Sequence, residues 1–306
     1  MAGQHVQLRI FFAGRVFESH PLTILSAPPS ISCLASPDLL LGARVTGDWS
    51  RALNLYAETA KEVAVDEKTI LNQGAHVQVM MDGPYGGCSV DPGNFESVLL
   101  VAGGSGATFT LGLLDDIVGR CIKLGRSGGE RTRRIEFAWC VRSFGKYRLS
   151  QSLVSVIACL FIMTASIEWF APMLMDIANT AAGTSLDLHI SVFVTCICNP
   201  EAIPPIPNSD VTIIRPSVQA LLDDLLTPPG SNSSKNASID VEGAVSEKSS
   251  SKSAKLNWVG LGGGVAVCAS GPETLTREAH NAVARVGMRR GVELGGIVLH
   301  TELFSM

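Results

Sequence analysis

Ser97 to Ala102 is an unbroken apolar run, Ser-Val-Leu-Leu-Val-Ala, that passes straight into Gly103-Gly104-Ser105-Gly106-Ala107-Thr108 and then into a helical pattern through Cys121. A strand without polar alternation is covered on both faces. A glycine-rich turn that opens a helix gathers backbone N–H groups and the positive end of the helix dipole at one point. These features call for a parallel sheet with helices on both sides, and they let a pyrophosphate approach the backbone at the turn. The pattern Gly104-x-Gly106-x-x-Phe109 is shorter than the full dinucleotide fingerprint, so a tight turn without a ligand also fits it.

The residues that follow continue the alternation. Strands are predicted at Arg134–Val141, Leu188–Thr195, Val211–Ile214 and Gly264–Ala269, with helices at Trp169–Ala178, Val218–Leu226 and Glu273–Val286, and a final strand from Gly295 to His300. Strand–helix alternation of this kind gives a doubly wound sheet. Before Pro92 the character is different. Val6–Phe12, Leu22–Ser26, Leu39–Thr46 and His76–Met81 read as short strands, and Ala52–Lys61 as a short helix, with the turn Asp82-Gly83-Pro84-Tyr85-Gly86 closing the series. Short strands at this spacing suggest a small β-barrel. The expected organisation is therefore a partial barrel over 1–92 and an α/β domain over 93–306, with insertions at about 146–165 and 228–256.

Composition narrows the function classes. With 306 residues and 46% hydrophobic content the chain can bury two cores, and a net charge of -4 offers no electrostatic footprint for nucleic acid. Eight cysteines scattered over this length do not form a secreted disulfide framework, and the close pair Cys196 and Cys198 lacks CxxC spacing. A globular enzyme in a reducing compartment is the expectation. The segment 228–256, rich in Ser, Asn, Lys, Gly and Pro, has no hydrophobic periodicity and reads as a solvated insertion. Leu149 to Ile167 carries no charge and is long enough to span a bilayer. A span there would put a strand and a helix of one sheet domain on opposite sides of a membrane. It is read instead as an inserted stretch, either a surface-packed apolar helix or a translated intron, with the second preferred.

Three further segments carry candidate chemistry. His20-Pro21-Leu22-Thr23 sets a proline inside a strand, which confines that strand to an edge or bulge. Gly47-Asp48-Trp49-Ser50 precedes a helix, and Ala269-Ser270-Gly271-Pro272-Glu273 ends a strand where open α/β sheets bind ligands. Alone, each has a plain structural reading. In order, together with Asp82–Gly86, Gly103–Gly106, Trp139-Cys140-Val141-Arg142, Glu168-Trp169-Phe170 and the terminal Phe304, they resemble the cytosolic region of fungal ferric-chelate reductases. The wider ferredoxin-reductase-like, NADPH-oxidase-related family shows the same succession.

The resemblance implies a ferredoxin-reductase-type FAD barrel, N-terminally truncated, followed by a Rossmann-like NADP domain, with FAD and NADPH as cofactors. It places His20, Pro21, Leu22 and Thr23 along the flavin, with the Thr23 hydroxyl near the isoalloxazine N5. Arg44, Gly47, Asp48, Trp49 and Ser50 match the segment that holds the FAD pyrophosphate. Gly83, Pro84, Tyr85 and Gly86, and Gly103, Gly104, Ser105, Gly106, Ala107 and Thr108, match NADPH phosphate-binding segments. Arg142 matches the arginine that contacts the 2′-phosphate. Cys268, Ser270, Gly271, Pro272 and Glu273 match the motif beside the nicotinamide, with Ser270 where cysteine is usual, and Phe304 matches the aromatic that stacks on the flavin.

The family also carries membrane helices with haem ligands, placed before the FAD domain at the plasma membrane with this region on the cytosolic side. None of the six histidines here lies on a convincing membrane helix. The expected activity is electron transfer from NADPH through FAD toward ferric chelates or a haem membrane domain. A soluble NAD(P)H–flavin reductase and an inactive fragment are the alternatives.

Overall fold

A computed structural model of the chain describes residues 2–35, 38–66, 77–141, 170–195, 206–227 and 262–304. Arg142, Glu168, Trp169 and both expected insertions lie outside these residues.

Three strands, β1 (Gln4–Phe11), β2 (His20–Thr23) and β3 (Gln78–Gly86), form an antiparallel sheet in the order β2-β1-β3. Pro21 sits on the edge strand β2, opposite Gln7, where its missing N–H breaks no further ladder. Helix α1 (Asp48–Asp66) covers one face. Trp49, Ala52, Leu53 and Tyr56 follow helical spacing and pack on a small core of Leu8 and Ile10 from β1 and Phe12 just after it.

Two readings of this region are corrected. The predicted strand Leu39–Thr46 reduces to a single bridge between Ile24 and Leu41, because Leu40 is held instead by the carbonyl-to-amide bond with Leu25 and by the Ser26 hydroxyl. The predicted closing turn Asp82–Gly86 lies within β3. A cis Gly83–Pro84 peptide and a register shift opposite His5 and Gln7 accommodate it without ending the ladder.

The second sheet has six parallel strands: β4 (Ser97–Gly103), β5 (Arg134–Val141), β6 (Asp187–Val194), β7 (Ser209–Thr212), β8 (Val265–Gly271) and β9 (Ile297–Leu303). Their order is β7-β6-β5-β4-β8-β9, so the chain reverses direction of growth between β4 and β8. Helices α2 (Ala107–Ile122) and α3 (170–181) cover one face, and α4 (Val218–Leu226) and α5 (Glu273–Glu293) the other. The β4 run explains itself here: Val98, Leu100 and Ala102 enter the first core, while Leu99 and Val101 enter the second. Helix α5 continues past the predicted end at Val286, but Gly287 breaks it with a φ of 74° before a last stretch to Glu293.

Helix α2 also carries the N-terminal region. Asp115 is fully buried, and its carboxylate accepts bonds from the Ala27 N–H at 2.8 Å, the Ser32 hydroxyl at 2.7 Å and the Cys33 N–H at 2.6 Å. One turn to either side, Gly112 and Gly119 let backbone approach directly. A Cβ on Gly112 would lie 2.9 Å from the Ile24 carbonyl oxygen, and one on Gly119 2.0 Å from that of Ile31.

Candidate functional site

The turn after β4 is a 3-10 turn, Gly104–Gly106, that leads directly into α2. Three contacts fix its shape. The Trp139 indole N–H donates to the Gly104 carbonyl at 3.0 Å, and the Thr108 hydroxyl donates to the Ser105 carbonyl at 3.0 Å. Gly106 lies against β8 so closely that a Cβ would meet the Ser270 carbonyl oxygen at 2.2 Å. Gly104, at a φ of 57°, has open space where its Cβ would be. The turn is thus packed on its inner side and open on its outer side.

This open side faces a cleft of about 290 Å³ at the carboxyl ends of the strands, where the sheet order reverses. Gly103, Gly104 and Ser105 line one wall, Cys140 and Val141 another, and Pro272 and Leu275 a third. Crevices of this kind are the usual ligand position in open α/β sheets. Two cations reach it: Arg44 from the segment before α1 and Arg215 from the turn after β7. Neither has an ion-pair partner among the described residues. Burial pushes the Cys140 thiol up, the positive charge of Arg215 opposes that rise and the Glu278 carboxylate adds to it, which sets both groups near the end of β5. Glu278 also lines the cleft, but its carboxylate is engaged by the Val218 N–H at 2.9 Å.

Ser270 stands at the end of β8 between Ala102 and Glu302. It is fully buried, and its hydroxyl finds no partner among the described residues. Glu273 points away from the cleft, exposed and near Arg277 at 3.8 Å. Cys268 is buried within the sheet. The Phe304 N–H donates to the Gly271 carbonyl at 2.9 Å, which anchors the end of the described chain beside this turn, and the Phe304 ring packs on the main core.

On the antiparallel sheet, the segments His20–Thr23 and Gly47–Ser50 meet. The His20 and Trp49 rings lie with centroids 4.0 Å apart and planes 30° apart. The buried nitrogens Trp49 Nε1 and Arg9 Nε have no hydrogen-bond partner among the described residues, and His20 Nε2 has the Glu18 carboxylate at 3.5 Å. Ser50 orders its own turn: its hydroxyl accepts from the N–H groups of Thr46 and Gly47 at 3.0 and 3.1 Å and donates to the Gly47 carbonyl. Thr23 and Tyr85 flank His5 in one row across the three strands. Gly83 to Gly86 therefore stand on this sheet and do not line the cleft with Gly103.

The buried Trp49 and Arg9 nitrogens without a hydrogen-bond partner among the described residues on one side, and an open glycine turn beside a buried unpartnered hydroxyl on the other, fit two polar ligands such as FAD and a nicotinamide dinucleotide. Sequence reasoning passed over Arg215. The only signal for it was a basic residue directly after the predicted strand Val211–Ile214. Among the described residues no group of His, Cys, Asp and Glu is arranged to hold a metal, and no helix is long and apolar enough to cross a membrane.

Residues 1–89 match the family model described as an FAD-binding domain, and residues 95–171 match the ferric reductase NAD binding domain. The chain thus joins an FAD-binding domain to a ferric reductase NAD binding domain.

It is 27% identical over 200 residues to respiratory burst oxidase homolog protein A of Arabidopsis thaliana, which covers 61% of this chain and 21% of that protein. It is 29% identical over 161 residues to homolog protein D of the same plant, covering 46% of this chain and 17% of that one. The chain thus spans about a fifth of the length of the curated relatives it matches. It is also similar to a ferredoxin NADP+ reductase from Neisseria gonorrhoeae with bound FAD and NADP, with 13% identity, a TM-score of 0.46 and coverage of 98% of this chain and 86% of that one.

Proposed function

We propose that this chain accepts reducing equivalents from NADPH and passes them through FAD toward a ferric chelate or a haem partner domain. The observation that carries this reading is the cleft at the β4/β8 reversal, with an open glycine turn and two arginines that have no ion-pair partner among the described residues, beside the buried hydroxyl of Ser270. The Gly103–Gly106 turn and the start of α2 would hold the dinucleotide phosphates, and Arg44 and Arg215 would meet their charge. A fixed cation at the end of β5, where the Glu278 carboxylate is already engaged by the Val218 N–H, favours a 2′-phosphate over a free ribose hydroxyl. Arg142, next in the chain after β5, is a second cation for the same role.

His20, Trp49 and Thr23 would hold the flavin on the antiparallel sheet, with the α1 N-terminus toward its phosphates. Bound FAD supplies the redox chemistry: it takes up a hydride and gives up electrons singly. The protein's part is orientation and exclusion of water. The Ser270 hydroxyl and the Phe304 ring, both beside Gly271, would shape the place where nicotinamide and flavin meet.

The test is to purify the chain with FAD, record its visible spectrum, and add NADPH without oxygen. Bleaching of the flavin, reversed by a ferric chelate, is the expected result. Protein that retains FAD but is not bleached by NADPH overturns the NADPH reading. Protein that never retains FAD overturns the function as a whole.

A further inference from the structure

Cys88 and Cys268 are 180 positions apart in the chain, and their sulfurs lie 3.9 Å from each other. Among the described residues no other two cysteine sulfurs are in contact. The two thiols are not equivalent. Cys268 is fully buried in β8, held in register between Leu100 of β4 and His300 of β9, and cannot move without the sheet. Cys88 follows β3 and is half-buried. The two residues before it, Gly86 and Gly87, both have positive φ, at 63° and 116°, so the backbone there is of the kind that turns most freely.

The next residue is tethered: the Ser89 hydroxyl and N–H contact the His300 ring nitrogen at 2.8 and 3.2 Å. That tether keeps Cys88 over β8. The bond from Cys268 and the Val90 N–H hold the Cys88 thiol below its ordinary range, while the bond to Cys88 and burial push Cys268 up. The exposed member is therefore also the more readily ionised one.

We infer that Cys88 and Cys268 form a peroxide-oxidisable dithiol, a modification site at which a disulfide ties the segment after β3 to the central strand β8. Hydrogen peroxide is the oxidant. The Cys88 thiolate attacks one peroxide oxygen, the O–O bond breaks, and hydroxide leaves to give a sulfenic acid on Cys88. The Cys268 sulfur, giving up its proton, then attacks the Cys88 sulfur and expels the second oxygen as water. In sum two thiols and one hydrogen peroxide give one disulfide and two waters. A disulfide bond is about 2.05 Å long, so the sulfurs close by about 2 Å, and the segment after Gly87 makes that movement.

The test uses the full chain, treated with one equivalent of hydrogen peroxide, alkylated, and mapped by mass spectrometry without reduction. The expected product is a linked peptide pair containing Cys88 and Cys268 that dithiothreitol separates. In Cys268→Ser the linked pair disappears and dimedone labels Cys88 instead. In Cys88→Ser, a change at a half-buried loop position, Cys268 stays fully alkylatable after peroxide. Three results overturn the assignment. One is that both thiols remain alkylatable in the natural chain while other cysteines oxidise. Cys88 can go on to sulfinic acid with no linked product. Or Cys268 can be consumed equally with and without Cys88.

Discussion

The Cα of Gly106 sits so close to the Ser270 carbonyl that a Cβ would lie 2.2 Å from its oxygen. This contact joins the glycine turn after β4 to the end of β8, and it sets how wide the cleft between them can be. Gly106→Ala must separate β4 from β8, because the obstacle is backbone in the sheet's centre. Overpacking of this kind costs about 1–3 kcal/mol, readable as a lower urea midpoint, and NADP+ affinity should fall with it. Gly104→Ala is the informative partner: it meets no atom and strains only its positive φ, at a cost of about 1–2 kcal/mol.

Arg215 provides a test of coenzyme choice. Arg215→Ala should raise the KM for NADPH by about 10-fold or more, the scale of one lost charge-assisted bond, and leave the KM for NADH within about threefold. Steady-state rates with both coenzymes decide it, and equal loss for both would remove Arg215 from the 2′-phosphate role. Arg142→Ala in the same background shows whether the two cations share that phosphate.

The Asp115 carboxylate takes three donors from the stretch Ala27–Cys33. Asp115→Ala should cost about 3–4 kcal/mol, since three buried donors lose a charged acceptor together. Ser32→Ala removes one of the three and should cost about 1–2 kcal/mol. Chemical denaturation followed by Trp fluorescence measures both.

His189 bridges two carboxylates across three strands, with Nδ1 2.9 Å from Glu136 and Nε2 3.1 Å from Asp210. The Glu136 bond, against opposing burial, raises its pKa to about 9. The folded value lies above the unfolded one of about 6.5, so the added stability is complete below that pH and is lost as pH rises toward 9. The gain, reduced because the ring is one-third exposed, is about 1–2 kcal/mol. Melting temperature should therefore fall between pH 6.5 and 9, and His189→Gln should flatten that part of the profile.

Phe304 separates a site role from a packing role. Its N–H bond to Gly271 survives any side-chain change, so Phe304→Ser keeps the chain end in place. The flavin spectrum with NADP+ present should change, with a stability loss smaller than the about 3–5 kcal/mol of a fully buried Phe. A large drop in melting temperature with an unaltered spectrum would assign the ring to the core alone.

The parallel sheet was legible because its signals are local. The β4 run, the strand Arg134–Val141 and the helix Val218–Leu226 carry their periodicity within a few residues, and the last two have the bounds expected of them. Errors fell in the antiparallel region, where Gly83-Pro84 looks like a strand end but is absorbed by a register shift with β1. A pairing partner nearly eighty residues away decides that outcome. The site was legible to the same extent. The glycine turn announces itself, whereas Arg215 and Asp115 matter only through what the fold brings against them.

Helix α2 begins at the glycine turn and, eight residues later, presents Asp115 to the N-terminal region. At about 1.5 Å per residue the two points are about 12 Å apart along one rigid rod. The spacing between the cleft and the stretch Ala27–Cys33 is thus a fixed length of helix and not a property of a tether. Adding or removing one residue between Ala107 and Asp115 would rotate the second anchor by about 100° as well as shift it.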